Sequence, residues 1–277
     1  MARDPEIRSD ELTFGEHLEA LRPHLLRGAG AMLLLAVAAL GCKRWLIDGL
    51  LFGPMRPDFP TNRLLAWLGA LSGTGGLAPQ PEALTLVNTT VAGQFNLHLS
   101  VSFAAAFAVG FPYLLWELWR FVRPALTERE RRACRRFVGW VSAGFFAGLA
   151  FGYLLLAPLS IAFLVQYQAS AAITNLIDVH SYLATVLNVS IACAVVFQLP
   201  LLVWFLTRMG LLTPQLLRRY RRHAVVVLAA LAAIITPPDV FSMLLLLFPL
   251  YGLYEFSIRI AARAYRKGES GSLDITQ

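Results

Sequence analysis

The chain has 277 residues, of which 57% are hydrophobic and only 15% are charged, and its mean hydropathy is +0.60. A soluble domain carries about 25% charged residues, so the composition excludes a water-soluble fold and points to an all-α integral membrane protein. The formal charge of +7 fits basic loops held at the cytoplasmic face better than a nucleic-acid partner, and Cys42, Cys134 and Cys193 are too scattered for a disulfide framework.

Residues 1–24 are charged from the outset, which separates them from a secretory signal peptide. Thr13 and Glu16 stand at capping-box spacing, and Phe14, Leu18, Leu21 and Leu25 form one apolar stripe. Glu19 and Arg22 fall largely off that stripe. The pattern predicts a cytoplasmic amphipathic helix, whose simplest role is an interfacial anchor, leading into the first span.

Six apolar segments follow, at about 25–46, 95–118, 137–165, 182–206, 224–235 and 240–260. The first four are long enough for a hydrocarbon core of roughly 30 Å, which takes about 20 helical residues. Within the loop after the first segment, "LLAWLGAL" reads as a short helix along the interface. The fifth segment rises only about 18 Å before "TPPD" closes it, so it is expected either to dip in and return or to thin the membrane around it, and the last two spans are expected to be short. Twenty of the 24 basic residues fall on one set of loops and ends. That bias places both termini in the cytoplasm, with a membrane domain over 25–262 and a cytoplasmic tail over 263–277, whose end "GESGSLDITQ" reads as disordered.

Pro112, Pro158, Pro200 and Pro249 lie inside or near the ends of spans, where each removes a backbone donor. The resulting bends are expected either to shape a curved wall or to serve as ordinary packing kinks. Polar groups at the spans are few: Glu117, Gln198, Asp239 and Glu255. Such groups are costly in lipid and often functional, although Glu117 and Glu255 stand near helix ends where a carboxylate can simply face water.

The stretch "ALTERERRACRRFVGW", Ala125 to Trp140, sets Glu128 and Glu130 among arginines. Thr127 and Glu130 fit a capping box, and Glu128 can pair with Arg132 along a helix face. The alternative is that Glu130 accepts an external guanidinium through two parallel bonds, while Arg131, Arg132 and their neighbours rest on anionic headgroups. No HExxH, G-x-S-x-G or Walker-type glycine loop is present, so an enzyme, a resident cofactor and a metal centre are not expected.

Five segments in order resemble one family, the TatC subunit of the twin-arginine protein translocase. They are "HLEALR" at His17 to Arg22, "PYLLWELWRFVRPALTERERR" at Pro112 to Arg132, "GLAFGYLLLAPLSIAFL" at Gly148 to Leu164, "DVHSYL" at Asp178 to Leu183 and "TPPDVFSMLLLLFPLYGLYE" at Thr236 to Glu255. The resemblance implies a multi-pass protein of the bacterial inner membrane that binds twin-arginine signal peptides of folded cargo. It also implies an oligomeric platform for single-span TatA-type and TatB-type partners, driven by the proton gradient. Glu130 matches the acidic position of the family's loop, beside Arg131 and Arg132. In the N-terminal motif the usual acid is replaced by Ala20, with Glu19 one residue earlier and Arg22 in register. Ser100, Glu117, Gln198 and Met243 replace the family's common lysine, glutamine, glutamate and glutamine. Gln198 keeps hydrogen-bonding capacity and offers a contact to a partner helix. The rival expectations are a proton-coupled small-molecule transporter and a structural membrane scaffold.

Overall fold

The computed structural model describes residues 14–72, 85–122, 128–167, 170, 175–208, 210–237 and 239–273. Helix α1 (Phe14–Gly41) carries the amphipathic stretch and the first span as one continuous helix, through Pro23. A π-helical segment (Trp45–Leu51) and a 3₁₀ turn (Gly53–Met55) lead to α2 (Pro60–Ser72), which contains the expected short loop helix. The second span is α3 (Gly93–Val122) and runs unbroken through Pro112. The third is composite: α4 (Glu128–Phe151), a π segment (Gly152–Leu156) and α5 (Ala157–Gln166), with Pro158 in the first turn of α5.

The fourth segment breaks in two, α6 (Val179–Val196) and α7 (Leu199–Arg208). The break falls at Phe197–Gln198, where Pro200 lacks the amide that would continue the ladder. Gly210 takes a positive φ of 74° after α7, a conformation that glycine reaches without a Cβ clash. Helix α8 (Pro214–Arg219) is capped by Thr213, whose hydroxyl accepts from the Leu216 amide at 3.2 Å. Helices α9 (Arg221–Ile235) and α10 (Val240–Leu273) complete the chain.

Two expectations need correction. Helix α10 has 34 residues and passes unbroken through Pro249, so the last helix is not short as a helix. It also continues to Leu273, so the stretch read as the start of a disordered tail is helical there. Among the described residues, five helical stretches are long and apolar enough to cross a membrane; α9, with 15 residues, falls below that length.

Helix order alternates between two ends, and side-chain contacts mark them. At one end His24 of α1 meets Glu117 near the close of α3. At the other, β1 (Leu86–Val87) pairs in parallel with β2 (Ile177–Asp178), joining the entrances of α3 and α6. There the Asp178 carboxylate accepts from the Thr89 hydroxyl at 2.6 Å and caps α6 by accepting from the His180 amide at 2.8 Å. These two donors, the Thr89 hydroxyl foremost, hold the Asp178 carboxyl below its ordinary pKa.

Helix contacts depend on small residues. A Cβ on Gly148 would lie 2.6 Å from the Cys193 carbonyl oxygen, and one on Gly152 would lie 2.7 Å from the Ser190 Cα. The α4–π strut therefore touches the α6 backbone directly, a contact type that stabilises helix pairs in lipid. Phe111 of α3 stacks on fully buried Phe145 of α4 with centroids 3.7 Å apart. The main core collects Leu51, Val101, Leu156, Tyr182, Val189, Leu246 and Leu250. Outward faces such as Leu33, Leu34, Val226 and Ile234 stay 60–82% exposed, as lipid-facing residues do.

Candidate functional site

The end marked by His24 and Glu117 gathers most of the sequence-predicted polar residues. Glu117 is 3% exposed, which corrects the expectation that it faces water. One carboxylate oxygen meets His24 Nδ1 at 2.6 Å; the other accepts from the Tyr113 hydroxyl and from Arg120 Nη1, both at 3.1 Å. Three donors from two helices converge on one carboxylate. In lipid, an acid left without partners would be expelled or neutralised; here it clamps α1 to α3. The same helix pair packs closely at Gly28 and Gly110, whose added Cβ atoms would meet Leu114 at 2.9 Å and Met32 at 2.5 Å.

Glu19 and Arg22 lie earlier on the same helix, and both are exposed. Glu19 stands five residues before His24, about one and a half turns away. Helix α4 starts at Glu128, a short link after α3 ends, so the backbone of Glu130, Arg131 and Arg132 belongs to its first turns. The side chains of these three residues lie outside the described residues, as do the capping boxes expected at Thr13–Glu16 and Thr127–Glu130. The clamp therefore fixes one helix bearing an exposed carboxylate beside a second helix that feeds the acidic-basic loop.

The other predicted polar residues sit apart. Gln198, half-buried at the α6–α7 break, donates from Nε2 to the Ala194 carbonyl at 3.3 Å and lies beside Gly144 of α4. Asp239 is buried and accepts from the Ser242 amide at 2.5 Å, opening α10; its Oδ2 has no partner among the described residues. Next to it, Ser160 of α5 donates to Ser242 across 2.7 Å. Glu255 does not simply face water: it pairs with Arg221 Nη2 at 2.8 Å and accepts from the Tyr251 hydroxyl at 3.3 Å. Sequence reasoning missed His24, Tyr113, Thr89 and Arg221 as partners. The separation of 93 residues between His24 and Glu117 left no local signal of that bond.

The described residues hold no group of three or more His, Cys, Asp or Glu positioned for a metal ion. The fold and this charge arrangement define a multi-span helical membrane protein with a polar cluster at one end. Comparison with known proteins makes the assignment specific. Residues 16–249 match the family model for the Sec-independent protein translocase protein TatC, and the chain belongs to that family. The TatC protein of Blattabacterium sp. subsp. Periplaneta americana is 34% identical over 260 residues, covering 93% of this chain and 98% of its own. The Helicobacter pylori (strain 26695) TatC is 33% identical over 245 residues, 88% of this chain and 85% of its own. Two crystal structures of a twin-arginine translocase receptor, TatC, superpose with TM-scores of 0.65 and 0.69 at 27% and 26% identity. They cover 90% and 89% of this chain, and 99% of each of those chains. The chain is thus a membrane component of Sec-independent protein translocation rather than a member of an enzyme family.

Proposed function

We propose that this chain is the twin-arginine signal-peptide receptor and core subunit of a translocase that exports folded proteins across a bacterial inner membrane. It has six membrane segments with both termini cytoplasmic, draws on the proton gradient, and assembles with single-span TatA-type and TatB-type subunits. The observation that carries the reading is the His24–Glu117 bond, which holds exposed Glu19 at the end of the molecule where α4 begins.

Two adjacent arginines on a signal peptide present two planar forks. A carboxylate takes such a fork through paired parallel bonds that lysine's single ammonium cannot match. Glu130 receives one guanidinium, and Glu19 takes the place of the family acid absent at Ala20. Arg22, Arg131 and Arg132 seat the loop on anionic headgroups. Gln198 offers its amide to a polar group on a partner helix at the α6–α7 break. The internal engagement of Glu117 and Glu255 counts against a proton-coupled small-molecule transporter, because each carboxylate is already paired with a side chain of another helix.

Photo-crosslinkers placed at positions 19 and 130 test the reading in nanodiscs with a twin-arginine peptide. Both positions are expected to label the peptide near its arginine pair, and a twin-lysine peptide to bind at least about tenfold more weakly, the loss of roughly 1.4 kcal/mol of forked bonding. Undiminished peptide binding by the Glu19→Ala/Glu130→Ala double variant would overturn the proposal.

A further inference from the structure

A cavity of about 400 Å³ lies between α3, the α4–π strut and α6. Its volume falls in the range of small-ligand sites, roughly 300–1,000 Å³. Small side chains create the space: Ala104, Ala105 and Ala108 on α3, and Ala150 on α4. Phe146, Leu154 and Leu50 at its edge are 37–42% exposed, so it opens to the surface within the apolar belt.

Its polar neighbours are turned to other uses. The Tyr153 hydroxyl donates to the Leu50 carbonyl at 2.5 Å, and the Tyr182 hydroxyl to the Leu51 carbonyl at 2.9 Å. The Thr61 hydroxyl donates to the Leu154 carbonyl. Ser190 is on the wall; its Oγ is covered and has no hydrogen-bond partner among the described residues. The cavity therefore offers carbon to an occupant along its length.

The rim supplies a charge. Arg56 follows the 3₁₀ turn, with its amide bonded to the Gly53 carbonyl at 3.0 Å. Gly53 packs against the Tyr153 hydroxyl, where an added Cβ would come to 2.7 Å. Asn62 fixes the loop by donating to the Pro54 and Arg56 carbonyls at 2.9 and 2.8 Å. The Arg56 side chain is exposed and reaches the Asp48 carbonyl at 2.5 Å. Among the described residues no carboxylate pairs with it, whereas nearby Arg63 has Asp58 at 3.3 Å.

We propose that this cavity is a phospholipid site: one acyl chain fills the space between α3, α4 and α6, and the phosphate pairs with Arg56 at the rim. The lipid belongs to the leaflet on the Trp45–Asn62 side. An acyl chain suits walls that turn almost no polar surface to the cavity, and a guanidinium with spare donors suits phosphate oxygens. The bound chain completes the packing between helices that small residues leave open. This assignment is independent of signal-peptide recognition, which occurs at the other end of α1.

The full chain in nanodiscs, with no signal peptide present, is labelled with phosphatidylglycerol carrying a diazirine in mid-chain, and the labelled peptides are mapped. Labelling of 101–108 and 146–154 is expected to exceed that of lipid-facing Leu33 and Leu34 at least about fivefold. Ala104→Phe and Ile191→Trp, which fill the space from opposite walls, are each expected to remove that excess while the protein stays monodisperse. Arg56→Gln is expected to lower labelling by phosphatidylglycerol about threefold, the scale of one exposed ion pair, and to leave labelling by the matching diacylglycerol unchanged. Labelling spread evenly over the outward faces of the parent protein overturns the site without recourse to any variant. Capture of a diazirine-bearing apolar helix in place of lipid also overturns it. Insensitivity of phosphatidylglycerol labelling to Arg56→Gln overturns the assignment to a phospholipid.

Discussion

Removing Glu117 tests whether one buried carboxylate sets the pairing of α1 and α3. Glu117→Ala deletes the acceptor of three donors at once. Two of them have a way out: Tyr113 is 40% exposed and the Arg120 side chain 47%, so both regain polar partners at the interface. His24, with its side chain 20% exposed, loses most. Charge-assisted hydrogen bonds in soluble proteins contribute about 1.5–3 kcal/mol, whereas interhelical ones in membranes average about 0.6 and reach about 1.7. The pair sits at a helix end and one partner is almost fully buried, which places it at the upper edge of the membrane range. Glu117→Ala and His24→Ala are each expected to cost about 2 kcal/mol, with a coupling of about 1.5 kcal/mol in the double-variant cycle. Unfolding in mixed micelles, followed by tryptophan fluorescence, measures all four corners. A coupling below about 0.3 kcal/mol would refute the clamp and leave α1 held to α3 by apolar packing alone.

The close helix approaches predict a contrast between glycines. Gly152→Ala is expected to lower stability by about 1–3 kcal/mol because its methyl meets the Ser190 backbone, whereas Gly139→Ala, with open space around it, is expected to be neutral or stabilising in the same thermal assay. The Asp178 tie predicts a pH response. Its folded-state pKa is lowered, so its contribution is present above the unfolded value of about 3.9 and is lost as pH falls through the lower folded value. Exchange of the Thr89 and His180 amides, corrected for intrinsic rates, is expected to accelerate below about pH 4 in the parent and to show no such step in Asp178→Asn. Replacing Arg221 with Gln is expected to cost less than about 1 kcal/mol, since its side chain is 46% exposed and the pair with Glu255 is screened; a larger loss in the same unfolding assay would contradict that ranking.

Much of the fold was legible because lipid imposes a simple rule: every spanning backbone group must find its partner within the helix. Long apolar runs therefore marked α1, α3, the α4–α5 strut and the α6–α7 pair within a few residues. Pro200 signalled the break at Phe197–Gln198 for the same reason, since a missing amide ends a ladder. The π segments at Trp45–Leu51 and Gly152–Leu156 gave no such sign. Glu19 and Arg22 were legible as an exposed polar face from helical period alone. Glu117 was misread because its burial depends on His24, 93 residues away, and no local pattern encodes a cross-helix partner. Glu255 was misread for the same reason, its partner Arg221 lying on the preceding helix.

The Arg221–Glu255 pair also explains how a long α10 fits beside a short α9. Helix α9 has 15 residues and spans about 22 Å. Glu255 lies 15 residues beyond Val240 on α10, again about 22 Å from the connection between the two helices. The ion pair thus ties the polar boundary of α10 to the start of α9, and the Tyr254 hydroxyl donating to the Leu217 carbonyl at 2.7 Å holds the same level. Beyond it, Ile258 and Ala261 pack with Val203 and Leu217. Helix α9 consequently presents an apolar height about 8 Å less than a hydrocarbon core of roughly 30 Å, whereas the apolar stretch of α10, Val240–Tyr265, is long enough to cross it. The bilayer is expected to thin beside α9, because lipid deforms at a fraction of a kcal/mol per Å, while burying the charged pair would cost more. Inserting a helical turn within 224–235 is expected to part Arg221 from Glu255, relieve the thinning and impair cargo passage while leaving twin-arginine peptide binding intact. Full transport by that variant in inverted vesicles would show that the shortness of α9 has no part in export.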